Sequence, residues 1–457
     1  MNLPIKKAGQ YTLDEFNVYR LNEPEQFVDI KFLIHKWEIT ESMQNGYMHG
    51  SAVIYDGVGL FYDFLKRGLR GEEELYLKYR DWYDQEAEYY MFLYSITDFK
   101  TQIGANETLN TYTIHFISKD KFLTERTMVR KSFTNGQIGD YVQSVFDEYY
   151  LSENPDTKQI EIKQTDGEQD LVVPNYSPEQ TMHFFARKAY SADNQTQTFR
   201  FFENKERYNF TTHEELAWDV LEAGEEINFY FKINQADQSP DGQIILMQNI
   251  IDIDFPSTFN TISEMVDGDF YKSTTEVDIF NRTLMRTEYR YLDEYQDYLL
   301  PDYISTGQTR NIHSKEFVDD NMNYLRDTLV VKDYPAVGVT QNDLYVRPHT
   351  FYSDIYNKKI PNFNHHSKNF VTMRVYGRNQ VMAGKFVQIE ILKADSNVSE
   401  RKIDEQRSGI YLVESCRNVF YENEYIQVLS MSKSGIKGQP EPANDYNREP
   451  QIIVTGR

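Results

Sequence analysis

The chain has 457 residues, with 71 acidic side chains against 48 basic ones and a formal net charge of −23. Phosphate contacts need Lys and Arg, so this balance excludes an ordinary nucleic-acid binder and leaves a surface that repels nucleic acid. The length allows roughly two to four domains, and 40% hydrophobic residues suffice to give them cores.

The N-terminal stretch "MNLPIKKAGQYTLDEF" has no apolar run of the kind a secretory signal needs. "EQFVDIKFLIHKWEIT" alternates at Val28, Ile30, Phe32 and Ile34 and predicts a strand. "YMHGSAVIYD" is a second. "GLFYDFLKRG" places Leu60, Phe61, Phe64 and Leu65 on one helical face ending at Gly68. "EELYLKYRDW", "EYYMFLYSITDF" and "LNTYTIHFISKD" are three more strands, with Leu75, Leu77 and Tyr79 on one face of the first.

The clearest amphipathic helix follows, in "FTNGQIGDYVQSVFDEYY". Its stripe is Ile138, Tyr141, Val142, Val145, Phe146 and Tyr149. In "SPEQTMHFFARKAY", Ser177 is a natural N-cap, Pro178 suits the first helical position and Gln180 completes a capping box. Met182, Phe185, Ala186 and Ala189 share a face, so a helix should run to about Tyr190. "TFRFFENKERYNF" then reads as an aromatic hairpin turning at Asn204–Arg207. Two helices and a hairpin make a middle α/β module.

From Gly242 the pattern is β-like in "QIILMQNIIDIDF" and "DFYKSTTEVDIFNRTLMRTEYRYL". Residues 293–366 are rich in Tyr, Asp, Asn and Pro and read as an insertion or long ordered loops. Strands resume with "FVTMRVYG", "GKFVQIEIL", "GIYLVESCRNVFY" and "NEYIQVLSMSKSG". An internal repeat emerges here. The trio "EELYLKYRDW", "EYYMFLYSITDF", "YTIHFISKD" corresponds to "KFVQIEILKA", "GIYLVESCRNVF", "YIQVLSMSKS". Ile114, Phe116, Ser118 and Lys119 align with Val428, Ser430, Ser432 and Lys433.

Candidate chemical groups are few. Cys416 is the only cysteine, so no intrachain disulfide or cysteine zinc site is available, and its strand context suggests a buried thiol. His365 and His366 are adjacent and would face opposite ways on a strand, so they read as loop histidines rather than ligands. Asp252 and Asp254 share a strand face and read as solvent-facing acids rather than an acid–base pair. Glu72, Glu73 and Glu74 read as a solvated strand entry. "GANET" and "GQIGD" lack a phosphate-loop pattern, and "NET", "NQT" and "NFT" match the glycosylation sequon only for a secreted chain. No nucleophile–base pair or metal spacing appears, so no catalytic, cofactor or metal residue is expected. With 35 Tyr and 29 Phe, the rings are best placed in cores and contact faces.

Taken in order, these segments resemble the central baseplate hub proteins of contractile-tailed bacteriophages and the hub half of type VI secretion spike proteins. The likeness lies in "IGDYVQSVFDEYY", in "SPEQTMHFFARKAY" with its hairpin, in "MRVYGRNQVMAGKFVQIEIL" with Gly377 and Gly384, and in the repeat. Where such proteins often place Pro before the later glycine, this chain has Ala383. The likeness covers about 25–290 and 365–435.

It implies a mainly β fold with an α+β middle module bracketed by two tube-type β-barrel domains. The implied organisation is an N-terminal segment (1–25), a first barrel (26–122) and the α/β module (123–240). A second barrel follows (241–292 and 367–435), interrupted by 293–366, and an extended arm closes the chain (436–457). It implies a structural, non-enzymatic hub in the virion tail baseplate, assembled in the host cytoplasm. Three copies would form a ring adapting a six-fold tail tube to a three-fold central spike. The implied partners are the homotrimer, the spike, the tail tube protein and wedge proteins. DNA would pass through without specific binding, and the chain would not insert into a membrane. Two other readings stay open beside it: a carbohydrate-active or receptor-binding tail protein, which the Tyr-rich, acidic composition suggests, and a tail-tube-type structural protein without the hub's adaptor role. In the arm, Pro440, Pro442 and Pro450 oppose helix. Ile452, Ile453 and Val454 are three consecutive β-formers suited to adding a strand to a partner's sheet edge.

Overall fold

The structure is a computed structural model. It describes residues 7–20, 23–60, 68–71, 73–103, 108–193, 196–222, 230–232, 240–257, 261–278, 283–290, 309–310, 326–331, 357, 359, 370–392, 403–404, 407–433 and 436–437. Strand-period residues build the first part: β1 (Thr12–Arg20), β2 (Glu23–Asp29), β3 (Ile34–Ser42), β4 (His49–Asp56), β5 (Glu73–Arg80), β6 (Glu86–Ile103) and β7 (Thr108–Ser118). Leu75, Leu77 and Tyr79 point inward as their spacing requires, meeting Phe16, Trp37, Ile54 and Phe116 in one core. The run from Val28 to Ile34 is not one strand. A 3-10 turn at Lys31–Leu33 separates β2 from β3 and turns Phe32 out to 87% exposure. The helix expected after Leu60 lies outside the described residues.

The middle module begins with α1 (Lys119–Thr124), β8 (Ser132–Gln137) and α2 (Ile138–Phe146). At Asp147–Leu151 the last helical turn widens to π geometry. One extra residue in the turn shifts the helical phase, so Tyr150 rather than Tyr149 is fully buried. Tyr150 stacks on Phe146 at 5.0 Å and receives a 2.9 Å hydrogen bond from the Tyr47 hydroxyl. Short strands β9 (Ile160–Ile162) and β10 (Glu168–Val172) precede α3 (Pro178–Lys188). The capping box of α3 forms in full: Gln180 N donates to Ser177 Oγ, and Gln180 Oε1 accepts from Ser177 N.

The hairpin is β11 (Arg200–Glu203) and β12 (Tyr208–Thr211), turned by Asn204 Oδ1, which accepts from the amides of Glu206 and Arg207. Both of its faces are covered. Phe199, Phe201, Tyr208 and Phe210 pack on the module core, while Phe202 packs with Met43, Ala383, Phe386 and Leu412. That two-sided burial accounts for the density of rings. β9 adds a parallel strand beside β12. The hairpin is followed by α4 (His213–Glu222), opened by a second reciprocal cap between Thr212 and Glu215.

Next come β13 (Tyr230–Lys232), α5 (Pro240–Leu246), β14 (Ile250–Ser257), α6 (Thr261–Asp267), β15 (Tyr271–Asp278) and β16 (Thr283–Arg290). Gln243–Leu246 is therefore helical, where the apolar run suggested strand. β17 (Thr309–Arg310) and β18 (Arg326–Val331) come from the Tyr/Asp-rich region, and β18 pairs with β15 in a sheet β16-β15-β18. The last strands are β19 (Phe370–Tyr376), β20 (Phe386–Glu390), β21 (Gly409–Tyr421), β22 (Glu424–Ser432) and β23 (Ile436–Lys437).

Two groups of strands share one topology. β3-β4-β7-β6-β5 and β14-β19-β22-β21-β20 run in the same order, with every neighbouring pair antiparallel. Each carries a bulge at the same place. In β6 it falls between Leu93, opposite Phe116, and Ser95, opposite His115. In β21 it falls between Val413, opposite Met431, and Ser415, opposite Ser430. The bulge makes Phe116 the counterpart of Met431, one residue from the alignment the sequence suggested. The inward residues agree with this frame: Tyr112, Ile114 and Phe116 in β7, Gln427, Leu429 and Met431 in β22. The chain is mainly β, with two like strand units flanking an α+β module.

Candidate functional site: a strand seam and two open edges

The two units are fused edge to edge. β21 of the second pairs with β3 of the first, from Ser415 opposite Ser42 to Tyr421 opposite Lys36, making one sheet of 13 strands. On the core side of the seam, Trp37 stacks flat on Phe420, with centroids 3.6 Å apart and planes 3° apart. On the other side, Arg417 Nη2 meets Glu38 Oε2 at 2.6 Å, which helps hold the Glu38 carboxyl below its ordinary range against the opposing effect of burial.

Residues 377–385 tie the second unit to the first and to the hairpin of the middle module. Arg378 Nη2 donates to Met247 O, Asn379 N donates to Asp81 Oδ2, and Asn204 Nδ2 donates to Ala383 O. Gly384 has φ +87°, and a Cβ there would lie 3.1 Å from the Phe202 ring. Glu41, one residue from the end of β3, is 1% exposed. Burial pushes its carboxyl up to about 7, against the pull of Lys158 and Lys205 and of hydrogen bonds from the Ala383 and Lys205 amides. Its Oε2 has no hydrogen-bond partner among the described residues. Nearby, buried Glu203 accepts from Lys158 Nζ at 2.8 Å and from Met48 N at 3.1 Å, and desolvation raises its carboxyl too.

The repeat makes the seam informative. β3 corresponds to β14, and β21 to β6. Among the described residues, β14 pairs only with β19 and ends the sheet. β6 leaves β5 at Phe92, and from Leu93 to Ile103 no described strand pairs with its far side. Tyr94 and Ile103 are exposed there. Thus, among the described residues, the two strands equivalent to the seam partners each present an open edge. The other end of the sheet, β2, is blunted by its sequence EPEQFVD, in which proline and acids oppose strand pairing.

The sequence candidates separate clearly. Asp252 and Asp254 are exposed on one face of β14, and Cys416 is buried with its thiol pushed up by desolvation. Glu73 corrects the expectation of a solvated entry: it is fully buried and its carboxylate accepts from the amides of Arg70 and Gly71. Glu74 is partly exposed and pairs with Lys119, while Glu72 lies outside the described residues. So do His365, His366, Pro440, Pro442, Pro450, Ile452, Ile453 and Val454. Among the described residues no group of three His, Cys, Asp or Glu side chains could hold a metal, and no helix is long and apolar enough to cross a membrane. The seam itself escaped sequence reasoning.

A mainly β chain built from two like strand units, fused through unlike edges, is what this fold and seam define. Its architecture is that of the tail protein from Neisseria meningitidis MC58, at a TM-score of 0.50 and 10% identity over 94% of this chain and 100% of that one. A 43 kDa tail protein of prophage MuSo2 from Shewanella oneidensis aligns at 0.49 and 9% identity, over 92% and 99%. A chain of the Francisella PdpA–VgrG complex aligns at 0.44 and 10% identity, over 95% of this chain and 60% of that one. No protein-family model and no curated protein matches the sequence.

Proposed function

We propose that the chain is a structural hub of a phage tail baseplate, closing as a ring of three copies. The observation that carries this is the seam. It joins unlike strands, so the same pairing repeated between copies would set β14 of one against β6 of the next. A contact of that kind propagates head to tail and closes into a ring when its rotation permits. Two like units per chain let a three-fold ring present six similar positions, the match needed between a six-fold tube and a three-fold spike. The first unit spans 26–122 and the second draws on 241–292 and 367–435. Pairing the open edges also removes the template they offer to stray chains.

In this reading the solvent-side residues of the joined strands line the channel. They include Thr40, Ser51, Thr113, Thr372 and Ser430, with Arg374 and Arg417 balanced by Glu38, Asp252 and Asp254. A wall of hydroxyls and balanced charge gives DNA no basic track to bind. The chain acts without catalysis, in the virion tail, beside spike, tube and wedge proteins.

Native mass spectrometry and negative-stain imaging at micromolar concentration test the ring. Trimers with a central hole are expected. A stable monomer that forms no ring when a spike protein is added refutes it.

A further inference from the structure

The seam inside the chain has a definite register, and the repeat carries that register to the two open edges. β14 matches β3 position by position. Asp254 lies opposite Thr372 on β19 as Glu38 lies opposite Ser51 on β4, and Ile253 lies opposite Met373 as Trp37 lies opposite Ala52. Their bulges coincide too, between Ile250 and Asp252 in β14 and between Ile34 and Lys36 in β3. Asp254 therefore holds the place of Glu38. On the other edge, β6 follows β21 from the shared bulge to Thr97, the counterpart of Arg417. A second bulge, between Thr97 and Lys100, sets Lys100 opposite Thr111 as Val419 is set opposite Ile426. Lys100 therefore holds the place of Val419, and in the inner seam Val419 lies directly opposite Glu38.

Within the proposed ring, on which this inference rests, we propose that β14 of one copy and β6 of the next pair in the register of the inner seam, with Asp254 of one facing Lys100 of the other. The register comes from backbone pairing alone, yet it sets complementary groups face to face. Lys100 and Asp254 are both exposed, on the solvent side of their strands, and neither forms an ion pair among the described residues. Of the flanking acids, Asp252 lies opposite Arg374 and Asp98 accepts from the Thr97 hydroxyl.

The far end of the pairing fits as well. Gln102 takes the place of Tyr421, and Asp252 that of Lys36, which are opposed in the inner seam. The Gln102 amide can donate to the Asp252 carboxylate. Ile251 and Ile103, 41% and 84% exposed, fall at this end, where a second copy covers them. Backbone pairing along the edge supplies most of the affinity, because an exposed ion pair is worth only about 0.2–1 kcal/mol. The charges choose the register and the partner edge.

Two cysteine pairs in the full chain test the register. Lys100→Cys with Asp254→Cys should cross-link copies into a covalent trimer on mild oxidation, since opposed residues of antiparallel strands lie roughly 4.5–5.5 Å apart between Cα atoms, within disulfide reach. Lys100→Cys with Asp252→Cys, a slip of two positions, should cross-link far less. The native thiol, Cys416, is buried and does not compete. Charge reversal gives a second readout. Lys100→Glu or Asp254→Lys alone should raise the concentration at which trimers form by about ten-fold or more, and the double reversal should restore most of the loss. Circular dichroism checks that each variant is folded. Native-chain trimers that link better through position 252 than through 254, or whose loss on charge reversal the double variant does not restore, overturn the register and leave the ring standing. Native chains that stay monomeric overturn both.

Discussion

Replacing Glu41 with Gln should stabilise the chain above pH 7 and leave it nearly unchanged at pH 5. The carboxyl is buried where β3, the hairpin turn and residues 377–385 meet, and burial raises it from 4.5 to about 7. Between those values the folded chain holds a proton that the unfolded chain has released. The contribution of this group to stability is fully present below about 4.5 and is lost as pH rises through about 7. At pH 8 the folded chain carries an ionised carboxylate that burial disfavours by about 3 kcal/mol relative to the unfolded state. Gln keeps the shape and an oxygen for the Ala383 and Lys205 amides, and it never ionises. The variant should therefore unfold at higher urea than the native chain at pH 8, by most of that amount, and at similar urea at pH 5. Glu215, also raised to about 7 chiefly by desolvation, keeps its own share of the slope. Glu41→Gln should thus flatten the pH profile in part, and adding Glu215→Gln should flatten it further. Parallel midpoint-versus-pH curves for native chain and Glu41→Gln would refute the reasoning.

Gly50→Ala should destabilise the first unit by about 3 kcal/mol or more, seen as a lowered urea midpoint. A Cβ there would lie 2.3 Å from the Phe116 ring and 2.4 Å from the Glu38 carbonyl oxygen. Phe202→Ala should cost about 3–5 kcal/mol and increase hydrogen exchange in residues 377–385 more than in α2. Deleting residues 437–457, which include Ile452, Ile453 and Val454, should leave circular dichroism unchanged and weaken ring or spike association, measured by analytical ultracentrifugation.

Local signals in the sequence carried far. The Ser177 capping box, the inward face of β5 and the turn at Asn204 all depend on neighbours within a few residues, and each formed as its pattern requires. Where a local irregularity changes phase, the pattern misleads. The π turn at Asp147–Leu151 exchanges Tyr149 for Tyr150, the 3-10 turn at Lys31–Leu33 exposes Phe32, and the paired bulges of β6 and β21 set Phe116 against Met431, a frame one residue from the alignment read in the sequence. Neither a period of 3.6 nor one of 2.0 encodes a single inserted residue. Glu73 was misplaced because its charge suggests solvent, while the amides that satisfy it come from a turn that only the fold creates. The seam was invisible because edge pairing between distant strands leaves no mark on either strand's composition.

Arg417 and Glu38 meet across the seam although 379 positions separate them in the chain. During synthesis β3 leaves the ribosome some 379 positions ahead of the strand that covers its edge. At a translation rate of roughly 5–20 residues per second, that edge waits on the order of 20–75 seconds for its partner. For that interval the half-made chain carries the kind of edge that recruits other strands, and the closing pair is a long-range contact of the slowest type. Yield of folded protein should therefore depend on how fast the ribosome moves and how crowded the nascent chains are, more than on the stability of the finished sheet.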